Sequence, residues 1–114
     1  MTVTIYHNPQ CSNSRRALEV IRQSGIEPVI VEYLKTPLTA DQLGALVARM
    51  GVPVHTLVRF KEAAAAEAGI DAASPDAALL AAMAKFPVLI NRPIVVTDKG
   101  AGLCRPGDLV KNLL

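Results

Sequence analysis

The chain opens on a short apolar run, Val3-Thr4-Ile5-Tyr6, whose β-branched and aromatic residues predict a strand. After His7-Asn8-Pro9-Gln10 the period changes. Ala17, Leu18 and Ile21 fall on one face, with Arg15, Arg16, Glu19 and Arg22 largely outside it, so residues 14–23 read as an amphipathic helix stopped by Gly25. Residues 28–33 are again rich in β-branched side chains, and a right-handed crossover places this second strand parallel to the first. Thr39-Ala40-Asp41-Gln42 has capping-box spacing and opens a helix that runs to about Met50, before Gly51. Residues 53–60 read as a short helix. The Ala-rich stretch 63–84 is broken by Gly69 and by Ser74-Pro75-Asp76, an N-cap, a first-turn proline and an acid matched to the helix dipole, which predicts two helical pieces. Residues 86–90 and Asn91-Arg92-Pro93 lead into a strand at 94–97, and Asp98-Lys99-Gly100 turns the chain into an antiparallel partner at 101–104. Pro106, at the first helical position, opens a last helix that runs through Leu113. The order is βαβ, a helical segment, ββ, α. An α/β fold with a mixed four-stranded sheet and flanking helices is the packing that this order predicts.

With 114 residues, 51% of them hydrophobic, the chain is long enough for one core and too short for two domains. A single domain over residues 1–114 is the expectation, and a monomer with it. The formal charge is only +2 and the basic residues are dispersed, so there is no nucleic-acid-binding stripe. No apolar run approaches the roughly 18 residues that span a bilayer, and no membrane association is expected. The start, Met1-Thr2-Val3-Thr4, has neither the basic nor the long apolar region of a secretion signal, and there are two cysteines, Cys11 and Cys104. A reducing, cytoplasmic location is expected. These two cysteines and the two histidines, His7 and His55, are too scattered to form a metal site.

Cys11 carries the chemistry. It sits where a strand gives way to a helix, facing the free N–H groups and positive dipole end of the helix start, which favour a thiolate. To be mostly ionised at neutral pH its pKa must fall by about two units from roughly 8.5, equivalent to ~2.7 kcal/mol. A helix terminus typically contributes about 0.3–1 kcal/mol and at best about 2, so cations must supply the rest. The candidates are Arg59, Arg92 and Arg105, the last two each followed by a proline. If the three converge on Cys11, they would make a planar-donor cage suited to a tetrahedral oxyanion beside a nucleophilic sulfur. The Arg92-Pro93 bond can be cis, which would aim the arginine. His7 either tunes the Cys11 loop or is structural. Ser14 either donates to the thiolate or satisfies helix-start donors. Since Ser14 stands where a dithiol enzyme has its second cysteine, Cys11 can form an adduct but cannot resolve it locally. Cys104, at a strand end, reads as a packing residue.

The residues His7-Asn8-Pro9-x-Cys11-x-x-Ser14-Arg15, Tyr33-Leu34-x-Thr36-Pro37, Arg59, the run from Ile90-Asn91-Arg92-Pro93 to Ile94-Val95-Val96-Thr97, and Leu103-Cys104-Arg105-Pro106 resemble those of the glutaredoxin-linked arsenate reductases. The resemblance covers nearly the whole chain. It implies a thioredoxin-like fold with a helical insertion, about residues 38–86, and reduction of arsenate to arsenite. Cys11 would attack arsenate, assisted by His7 and Ser14. Arg59, Arg92 and Arg105 would hold the oxyanion and its thiol adduct, and Pro93 would be the structural cis-proline beside the cysteine. Glutathione would be the cosubstrate, glutaredoxin the partner that removes it, and no bound cofactor is implied. Two other classes remain open. One is a glutathione-dependent thiol oxidoreductase of the same fold without arsenate activity, distinguished by whether the three arginines converge on Cys11. The other is a group of RNA-polymerase-binding regulators whose redox switch resembles Cys-x-x-Cys, against which Ser14 argues.

Overall fold

The computed structural model covers Met1–Leu114. Its strands are β1 (Thr4–Tyr6), β2 (Val29–Val31), β3 (Ile94–Thr97) and β4 (Gly100–Leu103), and its α-helices are α1 (Ser12–Gln23), α2 (Ala40–Met50), α3 (Ala63–Ala68) and α4 (Asp76–Lys85). Short 3₁₀ helices occupy Val54–Leu57, Pro87–Leu89 and Gly107–Leu113. The elements fall into two units, one made of Met1–Thr36 with Arg92–Leu114, the other of Pro37–Asn91.

All four strands lie in the first unit and form one mixed sheet in the order β2-β1-β3-β4. β1 pairs in parallel with β2, as the crossover through α1 requires, with Ile5 opposite Ile30. It pairs antiparallel with β3, with Ile5 opposite Val95, and β3 continues into β4 as a hairpin. Val3 and Ile5, two residues apart and hence on one face, join Val95 beneath Ala17, Val20 and Ile21 of α1 and Val110 of the C-terminal 3₁₀ helix. Burying valine and isoleucine side chains contributes about 1.5–3 kcal/mol each. α1 and the 107–113 helix therefore cover a common apolar cluster, and they also pack on each other.

In the second unit α2 packs against α4, burying Leu43, Leu46 and Val47 on one and Leu79, Ala82 and Met83 on the other. Thr39 forms the expected capping box with Gln42, and Gly51 ends α2 in the left-handed conformation. The unit extends to Asn91, past the insertion boundary near 86 read from the sequence, because backbone bonds tie residues 57–59 to 89–91. Val58 bridges Ile90, Arg59 N donates to Leu89 O at 2.8 Å and Asn91 N to Leu57 O at 2.7 Å.

Several local expectations are corrected. The helix expected over 53–60 is a single 3₁₀ turn, after which Val58 turns extended to meet Ile90. Pro75 rather than Ser74 caps α4, since the Ser74 hydroxyl accepts from Asp71 N at 2.9 Å instead. β2 is three residues long where six were expected. Gly100 belongs to β4, and the last helix is 3₁₀ with Pro106 at its cap rather than its first position.

Candidate active site

The first unit brings the strand-to-helix cysteine together with both Arg-Pro corners. Cys11 is the N-cap of α1, in extended conformation, so that its backbone turns from β1 into the helix and its side chain stands at the helix start. Its sulfur makes no capping hydrogen bond of standard geometry, but the N–H groups of Ser14 and Asn13 face it. The loop before it is tied by Cys11 N donating to Asn8 O at 3.0 Å, Gln10 N to Asn8 Oδ1 at 3.0 Å and Arg15 Nη1 to Pro9 O at 2.8 Å. The Arg105 guanidinium lies with Nη1 3.7 Å from Cys11 Sγ and donates from the same nitrogen to Arg92 O at 2.9 Å. Next to this, Cys104 N donates to Pro93 O at 2.9 Å, so the two Arg-Pro corners are laced together. Both Arg92-Pro93 and Arg105-Pro106 are cis, the second without any expectation from the sequence.

Burial of the Cys11 sulfur works against ionisation. It is outweighed by the Ser14 N–H, the Arg92 charge, the Asn13 N–H and the Arg105 hydrogen bond, so the thiol is held below its ordinary pKa. Cys104 is the opposite case: burial alone pushes it up to about 11. It is 1% exposed, within the apolar cluster of the sheet.

His7 and Ser14 form a buried pair. His7 Nδ1 and Ser14 Oγ share a hydrogen bond of 2.6 Å, and the same hydroxyl accepts from Asn8 N at 3.0 Å. The Ser14 hydroxyl is thus committed to the loop that carries Cys11, while its backbone N–H addresses the sulfur. Burial lowers the His7 pKa, with Glu32 opposing and Arg22 and Arg15 reinforcing the shift, so the ring is neutral at pH 7.

A thiol at a helix N-terminus, held below its ordinary pKa with a planar cation in contact, can act as a nucleophile toward an electrophilic centre that bears anionic oxygens. A model of the ArsC family matches residues 6–113. The chain belongs to the ArsC family. An arsenate reductase of Rhizobium meliloti (strain 1021) is 49% identical over 115 residues, covering 100% of this chain and 82% of that protein. One of Escherichia coli (strain K12) is 48% identical over 113 residues, covering 98% of this chain and 80% of that one. The solved structure of an arsenate reductase from Vibrio cholerae matches with a TM-score of 0.94 at 40% identity, over 100% of this chain and 98% of that chain. The fold is accordingly the thioredoxin-like one of ArsC structures, as the sequence resemblance implied.

Of the residues singled out in this ArsC-family sequence, Cys11, His7, Ser14, Arg92, Pro93 and Arg105 all lie in the first unit. Arg59 lies in the helical unit, where its Nη1 pairs with Glu62 Oε1 at 2.8 Å. No three or more His, Cys, Asp or Glu side chains are grouped as a metal would need. No helix is long and apolar enough to cross a membrane. Asn8 and Arg15 stand in the sequence motif around Cys11 without a part assigned to them there: Asn8 shapes the loop with its carbonyl and side chain, and Arg15 straps it to Pro9. An Asn-Pro pair before a cysteine was the available signal for the first.

Proposed function

We propose that this protein reduces arsenate to arsenite, with Cys11 as nucleophile and glutathione and glutaredoxin as reductants. The observation that carries the reading is the Arg105 guanidinium in contact with a thiol held below its ordinary pKa at the start of α1. Arsenate as the substrate is supported by the arsenate reductases that share nearly half of this chain's residues over its whole length. Cys11 thiolate adds to arsenic and one arsenate oxygen leaves as water, giving a thiol-arsenic(V) adduct. Arg92 and Arg105 hold the remaining oxygens by paired N–H donation, and Arg59 shares that role on the family resemblance. Glutathione then displaces a second oxygen as water. A glutaredoxin thiolate attacks the glutathione sulfur, forming a mixed disulfide and leaving two electrons on arsenic. Water releases arsenite from Cys11 and restores the thiol. His7 and Ser14 hold the loop that presents Cys11, and Pro93 shapes the corner at Arg92. The reaction is assigned to a monomer in the cytoplasm, where glutathione keeps thiols reduced.

The test is arsenate-dependent NADPH oxidation with glutathione, glutaredoxin and glutathione reductase present. The wild-type protein is expected to turn over and Cys11→Ser to fall to background, since a serine hydroxyl is not ionised at neutral pH. No arsenate-dependent oxidation by the wild type, or substantial activity in Cys11→Ser, would end this reading.

A further inference from the structure

Beside the Cys11 loop the first unit has a cleft of about 340 Å³, lined in part by His7, to which the mechanism above assigns no ligand. One wall is the Asn8-Pro9-Gln10 loop, and the other is the turn after β2 that carries Glu32, Leu34 and Lys35. The walls are fixed to each other because His7 N donates to Val31 O at 2.8 Å. The turn is held by Lys35 N and Thr36 N, each donating to Glu32 O at 2.9 Å. It presents one acid and one base, with Lys35 Nζ 3.7 Å from Glu32 Oε1, beside Leu34, which is 44% exposed. So long and exposed an ion pair contributes little to stability and opens at little cost.

An acid and a base side by side, next to apolar surface, match the ammonium and carboxylate of an amino-acid head group with a short aliphatic stem. The cleft also stands in reach of the chemistry. Gln10 lines it, and its Cα is one peptide unit, ~3.8 Å, from that of Cys11, whereas an extended tripeptide spans roughly 10 Å. We propose that this cleft binds the γ-glutamyl end of glutathione, with Glu32 taking the α-ammonium and Lys35 the α-carboxylate, so that the cysteinyl sulfur is delivered past Gln10 toward the adduct on Cys11. This rests on the reading that glutathione supplies the second thiol. No bond is made or broken at the cleft itself.

The probe is S-methylglutathione, which carries the head group but no free thiol, titrated into the wild-type protein and followed by amide NMR signals. Shifts confined to the amides of Asn8, Gln10 and residues 32–35, absent with 2-mercaptoethanol, are expected. Free glutamate is the second arm: it should shift the 32–35 signals and leave Gln10 unmoved if the peptide portion runs toward Cys11. In the coupled assay Glu32→Gln/Lys35→Ala should raise the KM for glutathione about fivefold or more, as two lost exposed ion pairs imply, with the KM for arsenate within about twofold of wild type. Because Glu32 also bears on His7, Lys35→Ala alone is the cleaner variant and should raise the glutathione KM by itself. S-methylglutathione shifts lying elsewhere or absent, or an unchanged glutathione KM in both variants, would overturn the site. The titration contains no arsenate. A protein that binds S-methylglutathione here yet fails to reduce arsenate keeps the site and loses the function, and one that reduces arsenate without these shifts does the reverse.

Discussion

At the scale of single residues, Cys11 is tuned by parts from distant places in the chain. Two backbone N–H groups come from its own helix, and two guanidinium groups come from the Arg-Pro corners at the far end. The alkylation rate of Cys11 against pH, in a Cys104→Ala background, should therefore show a midpoint below the roughly 8.5 of a free cysteine. Arg92→Gln and Arg105→Gln should each move that midpoint up, because removing a cation removes stabilisation of the thiolate only. Two unchanged midpoints would mean that the arginines do not act on the sulfur. His7 has a consequence of its own for stability. Its folded-state pKa lies below the unfolded value near 6.5, so in acid the unfolded chain binds the proton more readily. Its contribution is whole above about pH 6.5 and is lost as pH falls through the lower folded value. The thermal midpoint should accordingly drop between pH 7 and pH 5.5, and the drop should shrink in His7→Gln. Glu27 and Asp108, held low by Arg22 and Arg16, act in a separate window below about pH 4.5, so they do not confuse that measurement.

At the scale of elements, the helix starts divide by purpose. α2 begins with a complete capping box, in which Gln42 N donates to Thr39 Oγ1 at 3.1 Å and Thr39 N to Gln42 Oε1 at 2.9 Å. Thr39→Ala should cost about 1 kcal/mol, read as a lower denaturation midpoint at unchanged slope. α1 has no such oxygen cap; its N-cap is the cysteine, and the free N–H groups are left to the sulfur. The same local signals explain what could be read in advance. Helical period, capping spacing and glycine stops act within four residues, so α1, α2 and the break at Gly69 were legible to within a few residues. The choice between α and 3₁₀ at 54–57 and 107–113 was not. It depends on what the next residues pair with: Val58 leaves its helix to bridge Ile90, and the C-terminal turn is pressed onto α1.

At the scale of the whole molecule, the fold buries the second cysteine within the core of the sheet. Cys104 packs with Val3, Ile5, Val95 and Val110, and its pKa near 11 leaves almost no thiolate at neutral pH. Cys104→Ala should keep most of its arsenate turnover with glutathione and glutaredoxin. A dead Cys104→Ala variant, together with a Cys11-Cys104 disulfide found by mass spectrometry after one turnover, would instead make this an internal-relay reductase. The sequence by itself determined the α/β class, the order of elements, the strand-to-helix placement of Cys11 and the set of arginines to consider, because each rests on patterns of near neighbours or on the resemblance to a family's sequence blocks. Only the tertiary structure decided that Ser14 turns its hydroxyl to His7 and its N–H to the sulfur, that both Arg-Pro bonds are cis, and that Arg105 touches Cys11. Arg105 and Cys11 stand 94 positions apart. Their contact exists because β1 pairs with β3 and β3 with β4, and such long-range closure leaves no periodic trace in the sequence.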